Sequence, residues 1–293
     1  MLRRWIVNIA LLIGVVGLGV YVTYRPAAER SPQYKLTALA PAAVTRILIE
    51  PKGSQAIELA KHGESWFLVR PFEARADRSQ ADRLLDLLGA ESKEKLAAAD
   101  LARFDLDKPA LTLTLGDQRF AFGTVNPLSQ EQYILTGDSV YLLPAFYASL
   151  VPQRPERLLT HALLLESERP IAFELRGFKV ELKDAKWVVS PAAGRDEPSQ
   201  DDFNRWVEGW RFASSLLTQQ ARGKSASETV DVRLADGRKL RLAVLQREPE
   251  LILARPDEKL QFHFSGELGK RLMNPPSVTP PTGGSGASGV EAR

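Results

Sequence analysis

The sequence predicts an α+β protein in which an N-terminal transmembrane helix precedes two tandem copies of one module, each an antiparallel sheet with one main helix. Three observations predict this architecture. The chain begins with a long uncharged run, and a stretch of roughly 100 residues then occurs twice at a nearly constant offset. Within each copy, apolar and polar residues alternate except at one stripe with helical spacing.

The N-terminal run Trp5–Tyr24 has 20 uncharged residues (24 − 5 + 1), which is the length that a helix needs to cross a bilayer. An uncleaved anchor is favoured over a signal peptide, because the run is long and Pro26 stands where a small residue should precede Ala28. Arg3 and Arg4 favour a cytoplasmic N-terminus. The expectation is therefore a single-pass protein of the inner membrane whose folded part lies in the periplasm.

The repeat is visible as matched residues whose offset falls only from 121 to 118 along the two copies, a regularity that chance would rarely produce. The pairs that set the offset are Trp66 and Trp187 (187 − 66 = 121), Pro71 and Pro191 (120), Leu111 and Val230 (119), and Tyr133 and Leu251 (251 − 133 = 118). The repeat divides the chain into an anchor at 1–25, a linker at 26–43, a first copy at 44–150, a connector at 151–162, a second copy at 163–273 and a disordered tail at 274–293.

Each copy is expected to contain the same elements in the same order. A hairpin comes first, with "RILIE" and "AIELA" in the first copy and "IAFEL" and "KVELK" in the second. A third strand carries the tryptophan and ends at the proline, and a helix with an apolar stripe follows. Further hairpins turn at Gly116-Asp117 and Gly137-Asp138, or at Asp236-Gly237 and Pro256-Asp257. A short segment, "AFYASLV" or "GELGKRLM", closes each copy.

The stretch "WFLVRPFEARADRSQADRLL" at 66–85 has the composition of a charged site, but the repeat favours a strand–turn–helix joint. Arg70 is replaced by Ser190 in the second copy, and Arg75 is matched by Arg195, so the charges are interpreted as mostly incidental. Asp77 and Ser79 are alternative caps of the helix that follows. The residues assigned to this structural motif in the two copies are Trp66, Pro71, Asp77, Ser79, Trp187, Pro191 and Ser199.

Composition limits the function classes. The chain has no cysteine, which excludes disulfides, thiolate catalysis and cysteine-ligated metals. Apart from Arg3, Arg4 and Arg25, the chain holds 39 − 3 = 36 basic and 36 acidic residues. Since a nucleic-acid binder needs a concentrated basic face, no nucleic-acid partner is predicted.

No residue pattern indicates catalysis, a metal site or a cofactor. The histidines His62, His161 and His263 are too widely spaced to form a metal motif and are interpreted as solvated or packing residues. Ser92 and Lys95 match an S-x-x-K pattern, but they lie in a charged, solvated stretch and lack the companion motifs. The sequence therefore predicts a protein that is not an enzyme.

The first copy resembles an uncharacterised bacterial family that is described only as a domain of unknown function. The resemblance is carried by Trp66, Pro71, Ala76-Asp77, "FDLDKP" (104–109), Gly123 and Tyr133. Asp105 and Asp107 within it lack the further ligands of an EF-hand, so a turn is expected there. The resemblance is weak in the second copy, which has no "LDKP". It implies single-pass, envelope-facing proteins, some encoded beside ABC transporters and gliding-motility auxiliary proteins, and it brings no catalytic residues.

Two non-enzymatic functions are expected from this organisation. The first is an accessory or interaction module for an envelope complex or an ABC-type transporter, with a protein partner. The alternative is a periplasmic module that binds a glycan or lipid between the two copies, where domain interfaces often form sites. Trp206, Trp210 and Phe212 are the richest aromatic group for such a site, although their spacing also fits the buried stripe of a helix. An enzymatic function ranks last.

Overall fold

The computed structural model describes residues 2–23, 32–191, 198–221, 223, 226 and 228–276. In the helix at 2–23 it describes the side chains of Trp5 and of residues 11–21. Three sequence predictions fall partly or wholly outside the described residues: the start of the linker, the match of Arg195 to Arg75, and the disordered tail beyond residue 276.

The N-terminal run forms a helix, α1 (Leu2–Thr23). Among the described residues, however, no helix is both long enough and apolar enough to cross a membrane. On this finding the prediction of a transmembrane anchor at Trp5–Tyr24, and of a single-pass membrane protein, is wrong.

The rest of the chain consists mainly of strands. The other helices are α2 (Arg78–Leu85), α3 (Phe146–Ser149), α4 (Gln200–Arg211) and α5 (Gly266–Met273), with single 3-10 turns at Pro41–Ala43, Asp86–Gly89, Leu101–Phe104 and Pro155–Leu158. The strands up to the connector are β1 (Tyr34–Lys35), β2 (Arg46–Pro51), β3 (Ile57–His62), β4 (Ser65–Arg70), β5 (Ala74–Arg75), β6 (Glu91–Ser92), β7 (Lys95–Ala97), β8 (Leu111–Leu115), β9 (Gln118–Val125), β10 (Glu131–Thr136) and β11 (Ser139–Pro144). Those after it are β12 (Pro170–Leu175), β13 (Phe178–Lys183), β14 (Lys186–Ser190), β15 (Leu217–Gln220), β16 (Glu228–Leu234), β17 (Lys239–Gln246), β18 (Leu251–Arg255) and β19 (Leu260–Phe264).

The two large sheets have the same strand order. The first copy forms a nine-stranded sheet, β5-β4-β3-β2-β8-β9-β10-β11-β7, and the second an eight-stranded sheet, β14-β13-β12-β16-β17-β18-β19-β15. Without β5 the two orders match strand for strand, and the paired strands are antiparallel throughout. A small separate sheet pairs β1 with β6. The peptide bonds before Pro71 and Pro191, at matching ends of β4 and β14, are both cis.

The predicted α+β class is wrong, because the described chain is mostly β-sheet in three antiparallel sheets. The helix of the first copy is short. It ends after eight residues at Leu85, and the last two leucines of the run lie in the 3-10 turn Asp86–Gly89. In addition, β7 and β15 have no alternating pattern of their own and become strands by pairing with β11 and β19. Edge pairing of this kind depends on tertiary context that a local pattern does not contain.

One apolar core extends through both copies and the connector. The core contains every second residue along the strands, such as Ile47 and Ile49 of β2. It continues through Leu158 and Leu163 into the second sheet. The helix α4 lies against α5 and β14 and contributes Trp210 to this core. The copies therefore share apolar burial and are more than two units joined by a flexible link.

The "FDLDKP" segment is held against β9 by close packing at Gly123. A Cβ atom added to Gly123 would lie 2.2 Å from the carbonyl oxygen of Phe104 and 2.9 Å from Leu106, so any side chain there would force the segment away. Asp105 adopts a positive φ of 57° as the 3-10 turn ends. Gly123 and the "FDLDKP" segment thus belong together in the pattern, because the segment packs directly on β9 at this glycine.

Candidate functional site

The residues of the predicted structural motif lie at matching joints of the two copies. Trp66 and Trp187 are buried in the core. Each lies near the start of a strand, β4 or β14, that ends directly before the matched proline. In the second copy the side chain of Trp187 donates from Nε1 to Asn204 Oδ1 on α4, at 3.1 Å. The tryptophans therefore fix the strand that leads into each joint.

Both joints continue into a capped helix. Asp77 is the N-cap of α2, and its carboxylate accepts a hydrogen bond from the backbone N–H of Gln80 at 3.2 Å. Ser79 lies inside α2 and donates its hydroxyl to Asp77, so it supports the cap without being the cap. In the second copy Ser199 is the N-cap of α4 and accepts from Asp202 N–H at 3.2 Å. Of the two alternatives that the sequence left open, the structure selects Asp77.

The joint of the first copy is bonded directly to the connector. Asp77 N–H donates to Leu158 O at 2.7 Å, and Thr160 N–H donates to Arg75 O at 3.1 Å. Ala76 also forms an isolated antiparallel bridge with Leu159. These backbone bonds turn the start of α2 toward the second copy, so the joint forms one wall of the contact between the copies.

Arg75 reaches across this contact into the second copy. Its Nε lies 2.8 Å from Glu258 Oε1, and its Nη2 donates to the carbonyl oxygens of Ala162 and Leu163 at 3.1 and 3.3 Å. The side chain of Arg75 is mostly buried. The interpretation of the opening stretch as incidental charge is therefore incomplete, because this arginine links the copies.

Behind Arg75 lies a buried ion cluster. Arg255 is 2% exposed and donates to both carboxylate oxygens of Glu168, which is 1% exposed, at 2.8 and 3.1 Å. Arg255 also lies 2.8 Å from Asp257 and 3.2 Å from Glu258. Burial alone would raise the pKa of Glu168, but the hydrogen bonds from Arg255 and from Leu165 N–H outweigh it and lower that pKa. The cluster is thus held in its charged form.

Next to this contact is a depression of about 380 Å³ that both copies and the connector line. Its volume falls within the range of small ligand sites, roughly 300–1,000 Å³. The lining side chains that matter for the argument are Gln80 and Arg83 of the first copy, Arg157 and His161 of the connector, and Leu216 and Leu217 of the second copy. We take this depression as the candidate site.

Gln80 and Gln200 match in the sequence repeat but stand at different helical positions, because Gln80 is the third residue after the Asp77 cap and Gln200 is the first residue after Ser199. In the second copy Gln200 clamps β14, accepting from Trp187 N–H at 2.8 Å and donating to Trp187 O at 2.9 Å. Within the described part of the chain, the side chain of Gln80 makes no such bond to Trp66 and lines the depression instead. The amide of Gln80 is therefore available for recognition.

Two adjacent leucines on the opposite wall also differ from the other copy. Following the register across each sheet, from β8 to β7 and from β16 to β15, Leu216 and Leu217 occupy the positions of Glu91 and Ser92. Leu216 is 72% exposed. The second copy thus presents apolar side chains at the depression where the first copy has polar ones, and adjacent exposed leucines are a feature of contact surfaces.

Cationic side chains outnumber acidic ones around the depression. Arg83 and Arg157 are exposed cations, and Glu156 is the acid among the lining residues. His161 Nδ1 lies 3.3 Å from Ser215 Oγ, which holds the ring at the wall. Cationic groups beside apolar side chains suit an occupant that combines acidic and apolar groups.

The aromatic group suggested by the sequence does not line this site. Trp206 and Trp210 are buried, and both donate from Nε1 to Leu272 O at 3.1 Å, so they hold α4 on α5. Phe212, by contrast, is 67% exposed just after α4. The helix-stripe interpretation of the two tryptophans is the one that the structure supports.

The serine and histidines considered as catalytic or metal-binding candidates bond or pack within the fold. Ser92 is buried, and its hydroxyl bonds to backbone groups of Glu94 and Leu142. His62 stacks edge-on against Phe67, and His263 Nδ1 lies 3.0 Å from Glu250 Oε1. Within the described residues, no group of three or more His, Asp or Glu side chains is placed to hold a metal ion.

Sequence reasoning missed the residues that matter most at this contact. Arg75 and Glu258 are 183 residues apart, and no local spacing joins them. For Leu216 and Leu217 a signal existed, since aligning the copies opposes two leucines to the polar residues Glu91 and Ser92. The signal was not found because that segment carried no motif.

Comparison with known proteins gives one family. The family model described as a domain of unknown function, DUF4340, matches residues 66–232. That range begins at the first tryptophan of the repeat and ends in β16, so it includes both joints and the connector. No curated protein and no solved structure matches the chain.

Proposed function

The chain belongs to the DUF4340 family, a family of unknown function, and from that premise we propose that it is a non-enzymatic interaction module. It binds a segment of a protein partner in the depression between its two copies. The partner's segment carries acidic and apolar side chains.

The observation that carries the proposal is the pair Leu216 and Leu217 on the wall of a depression to which both copies contribute. Exposing Leu216 to water forgoes about 1.5–3 kcal/mol of the stabilisation that full burial of such a side chain gives. The equivalent positions in the first copy, Glu91 and Ser92, show that this segment does not itself require leucine. A partner that covers the leucines accounts for this difference.

The charge of the lining supports an acidic occupant. Arg83 and Arg157 outnumber Glu156, and Gln80 adds an amide that can donate to a carboxylate or a backbone carbonyl. Charges at the rim of an interface mainly steer association and exclude wrong partners, whereas apolar side chains at its centre supply affinity. The two leucines fit the central role and the arginines fit the rim.

The class of partner comes from the family resemblance of the first copy. That resemblance implies envelope-facing proteins, some of them encoded beside ABC transporters, and we therefore propose a protein of an envelope complex or ABC-type transporter as the partner. A location outside the cytoplasmic membrane belongs to this proposal. A reporter fused after the last described residue and assayed for export tests the location independently of binding.

Site-specific photo-crosslinking of the full chain in its own cells tests the partner. A photoreactive amino acid replaces Leu216, and the matched control carries it at Glu91, the equivalent exposed position of the first copy. We expect a discrete adduct with one protein from position 216 and none of that size from position 91. The same adduct from both positions, or no adduct from 216, would overturn the assignment of this depression.

Substitution then separates recognition from folding. Leu216→Asp and Arg83→Glu change exposed side chains, so thermal unfolding should move little while recovery of the partner falls by tenfold or more. Unchanged recovery by both variants would contradict the proposal. If a glycan or lipid occupied the depression instead, the adduct would contain no second polypeptide, and that outcome would also reject the protein partner.

A further inference from the structure

The outer faces of the two sheets carry a matched pair of surface depressions, separate from the site between the copies. One lies on β2, β8 and β9 and has a volume of about 380 Å³. The other lies on β12, β16 and β17, the equivalent strands of the second copy, with about 260 Å³. Sheet register aligns three lining pairs: Glu50 with Glu174, Thr112 with Asp231, and Arg119 with Lys239.

In the second copy, the carboxylate at the centre belongs to the protein itself. Asp231 accepts two hydrogen bonds from Arg241, at 2.7 and 3.1 Å. The Arg241 hydrogen bonds lower the pKa of Asp231 against the opposing effect of burial. Arg233 lies 3.8 Å from Glu181. Two of the cations of this depression, Arg233 and Arg241, are therefore paired with carboxylates of the same sheet.

The first copy lacks that central carboxylate. Its equivalent residue is Thr112, a neutral, buried side chain whose hydroxyl oxygen accepts from Arg119 Nη2 at 3.3 Å. Lys52, Lys108 and Arg119 line the depression, and within the described residues none of the three forms an ion pair. Glu50 is the acid among the lining residues. Three cations and one acid leave an excess of two positive charges.

Backbone structure holds together the two segments that carry Lys52 and Lys108. Lys52 directly follows β2, Lys108 lies shortly before β8, and Lys52 N–H donates to Ala110 O at 2.8 Å. Like charges that the fold holds together repel one another, and a bound anion relieves the repulsion. An arginine fork and two ammonium groups supply donors to several oxygens of one tetrahedral anion at once.

We propose that the first copy binds a doubly charged tetrahedral oxyanion, a phosphate or phosphate monoester, between Lys52, Lys108 and Arg119. The anion takes the place that the Asp231 carboxylate fills in the second copy. Thr112 contributes an uncharged hydroxyl at the same point and leaves room for the ligand's own negative charge.

Equilibrium dialysis of the full chain with radiolabelled inorganic phosphate, at fixed chloride concentration, tests this proposal. We expect saturable binding to one site per chain. Thr112→Asp, which copies the second repeat, should weaken binding at least about tenfold, because it supplies an internal carboxylate at the site. Lys52→Gln with Lys108→Gln, a change confined to exposed side chains, should weaken it similarly. Glycerol phosphate in a parallel arm distinguishes free phosphate from a monoester by which binds more tightly.

Two controls keep the result specific to the first copy. Thr112→Val removes the hydroxyl but adds no charge, so most of the binding should remain, and Asp231→Thr in the second copy should leave the first site unaffected. Thermal unfolding of each variant identifies any that fails to fold, and the double lysine variant then decides. Absence of saturable binding, full binding by a folded Thr112→Asp variant, or loss of binding on Asp231→Thr would each overturn the proposal.

Discussion

The two copies solve the same packing problem at one end of their sheets with different chemistry. In the first copy that end is neutral, where Gln118 bonds to Thr37 and Thr136. In the second copy Arg238 takes the sheet position of Gln118, Arg255 takes that of Ile134, and both arginines face Glu168. The shared strand order therefore does not determine these side chains.

The ionic end is the one that meets the other copy. The four-residue turn from 256 to 259 replaces the tight turn at Gly137-Asp138, and it carries Glu258 to Arg75. A neutral network suffices where the sheet end faces its own copy, whereas charges occur where two copies must be held in one arrangement. Residues that differ between the copies thus mark the contact between them and the candidate sites. Residues that match are those that build the common sheet.

The largest expected effect comes from disrupting the ion cluster of Arg255 and Glu168 in the second copy. Arg255→Met should lower the free energy of unfolding by about 3 kcal/mol, because it removes two charged hydrogen bonds to the buried Glu168 and leaves the more distant Arg238, at 3.6 Å, as an ion-pair partner. Thr136→Val, at the neutral end of the first copy, removes a neutral hydrogen bond from Gln118 and should cost only about 1 kcal/mol. Urea unfolding of both variants measures the two values. Equal losses would show that the ionic network is no more important than the neutral one.

Next in size is the close crossing at Gly123. Gly123→Ala should destabilise the protein by about 1–3 kcal/mol, since the new methyl group meets the Phe104 carbonyl oxygen. The equivalent residue of the second copy is already Ala243, and Ala243→Gly should cost about 0.5–1 kcal/mol through backbone entropy alone. Thermal melts compare the two. A neutral Gly123→Ala would mean that the "FDLDKP" segment can shift freely.

The helix caps should behave alike in the two copies. Asp77→Ala and Ser199→Ala each remove an acceptor for a backbone N–H in the first turn, and each should cost about 1 kcal/mol. Ser79→Ala should cost less, because Ser79 bonds only to the side chain of the cap. Denaturant midpoints of the three variants measure the order, and a larger loss for Ser79 than for Asp77 would reverse the assignment of the cap.

The smallest expected effect concerns a matched pair of outer-face acids, Glu58 and Glu181. Hydrogen bonds from Lys183 and Lys179 lower the pKa of Glu181 from 4.5 to about 2. Because the folded-state pKa is depressed, the stabilisation is present above pH 4.5 and disappears as the pH falls toward 2. Glu181→Gln should therefore flatten the fall in melting temperature across that window. Glu58→Gln, in which Arg46 and Arg70 lose their partner, serves as the matched change. An acid slope in Glu181→Gln equal to that of the unmodified chain would contradict this.

Much of the sheet was accessible from the sequence because local patterns carry it. The alternation in "RILIE" predicts β2, the Gly116-Asp117 turn predicts the hairpin of β8 and β9, and the cap residues predict the start of α2. The edge strands were not accessible, since β7 and β15 are strands only through their partners. The predicted membrane anchor relied on length and composition alone and was wrong.

The candidate site was less accessible than the fold. Arg75 and Glu258 meet only after both sheets have formed, and neither residue stands in a pattern that indicates a partner. Leu216 and Thr112 gain meaning from their counterparts, so aligning the copies residue by residue is the route by which the sequence can reveal them. A single copy would have shown neither of these contrasts.

The shared core has a consequence for how the molecule comes apart. Leu158 and Leu163 belong to one apolar cluster with residues of both sheets, and Arg75 closes the polar side of the same contact. Separating the copies would expose apolar surface and strip partners from buried ions at once. The two copies accordingly form one cooperative unit, which is expected to melt in a single transition.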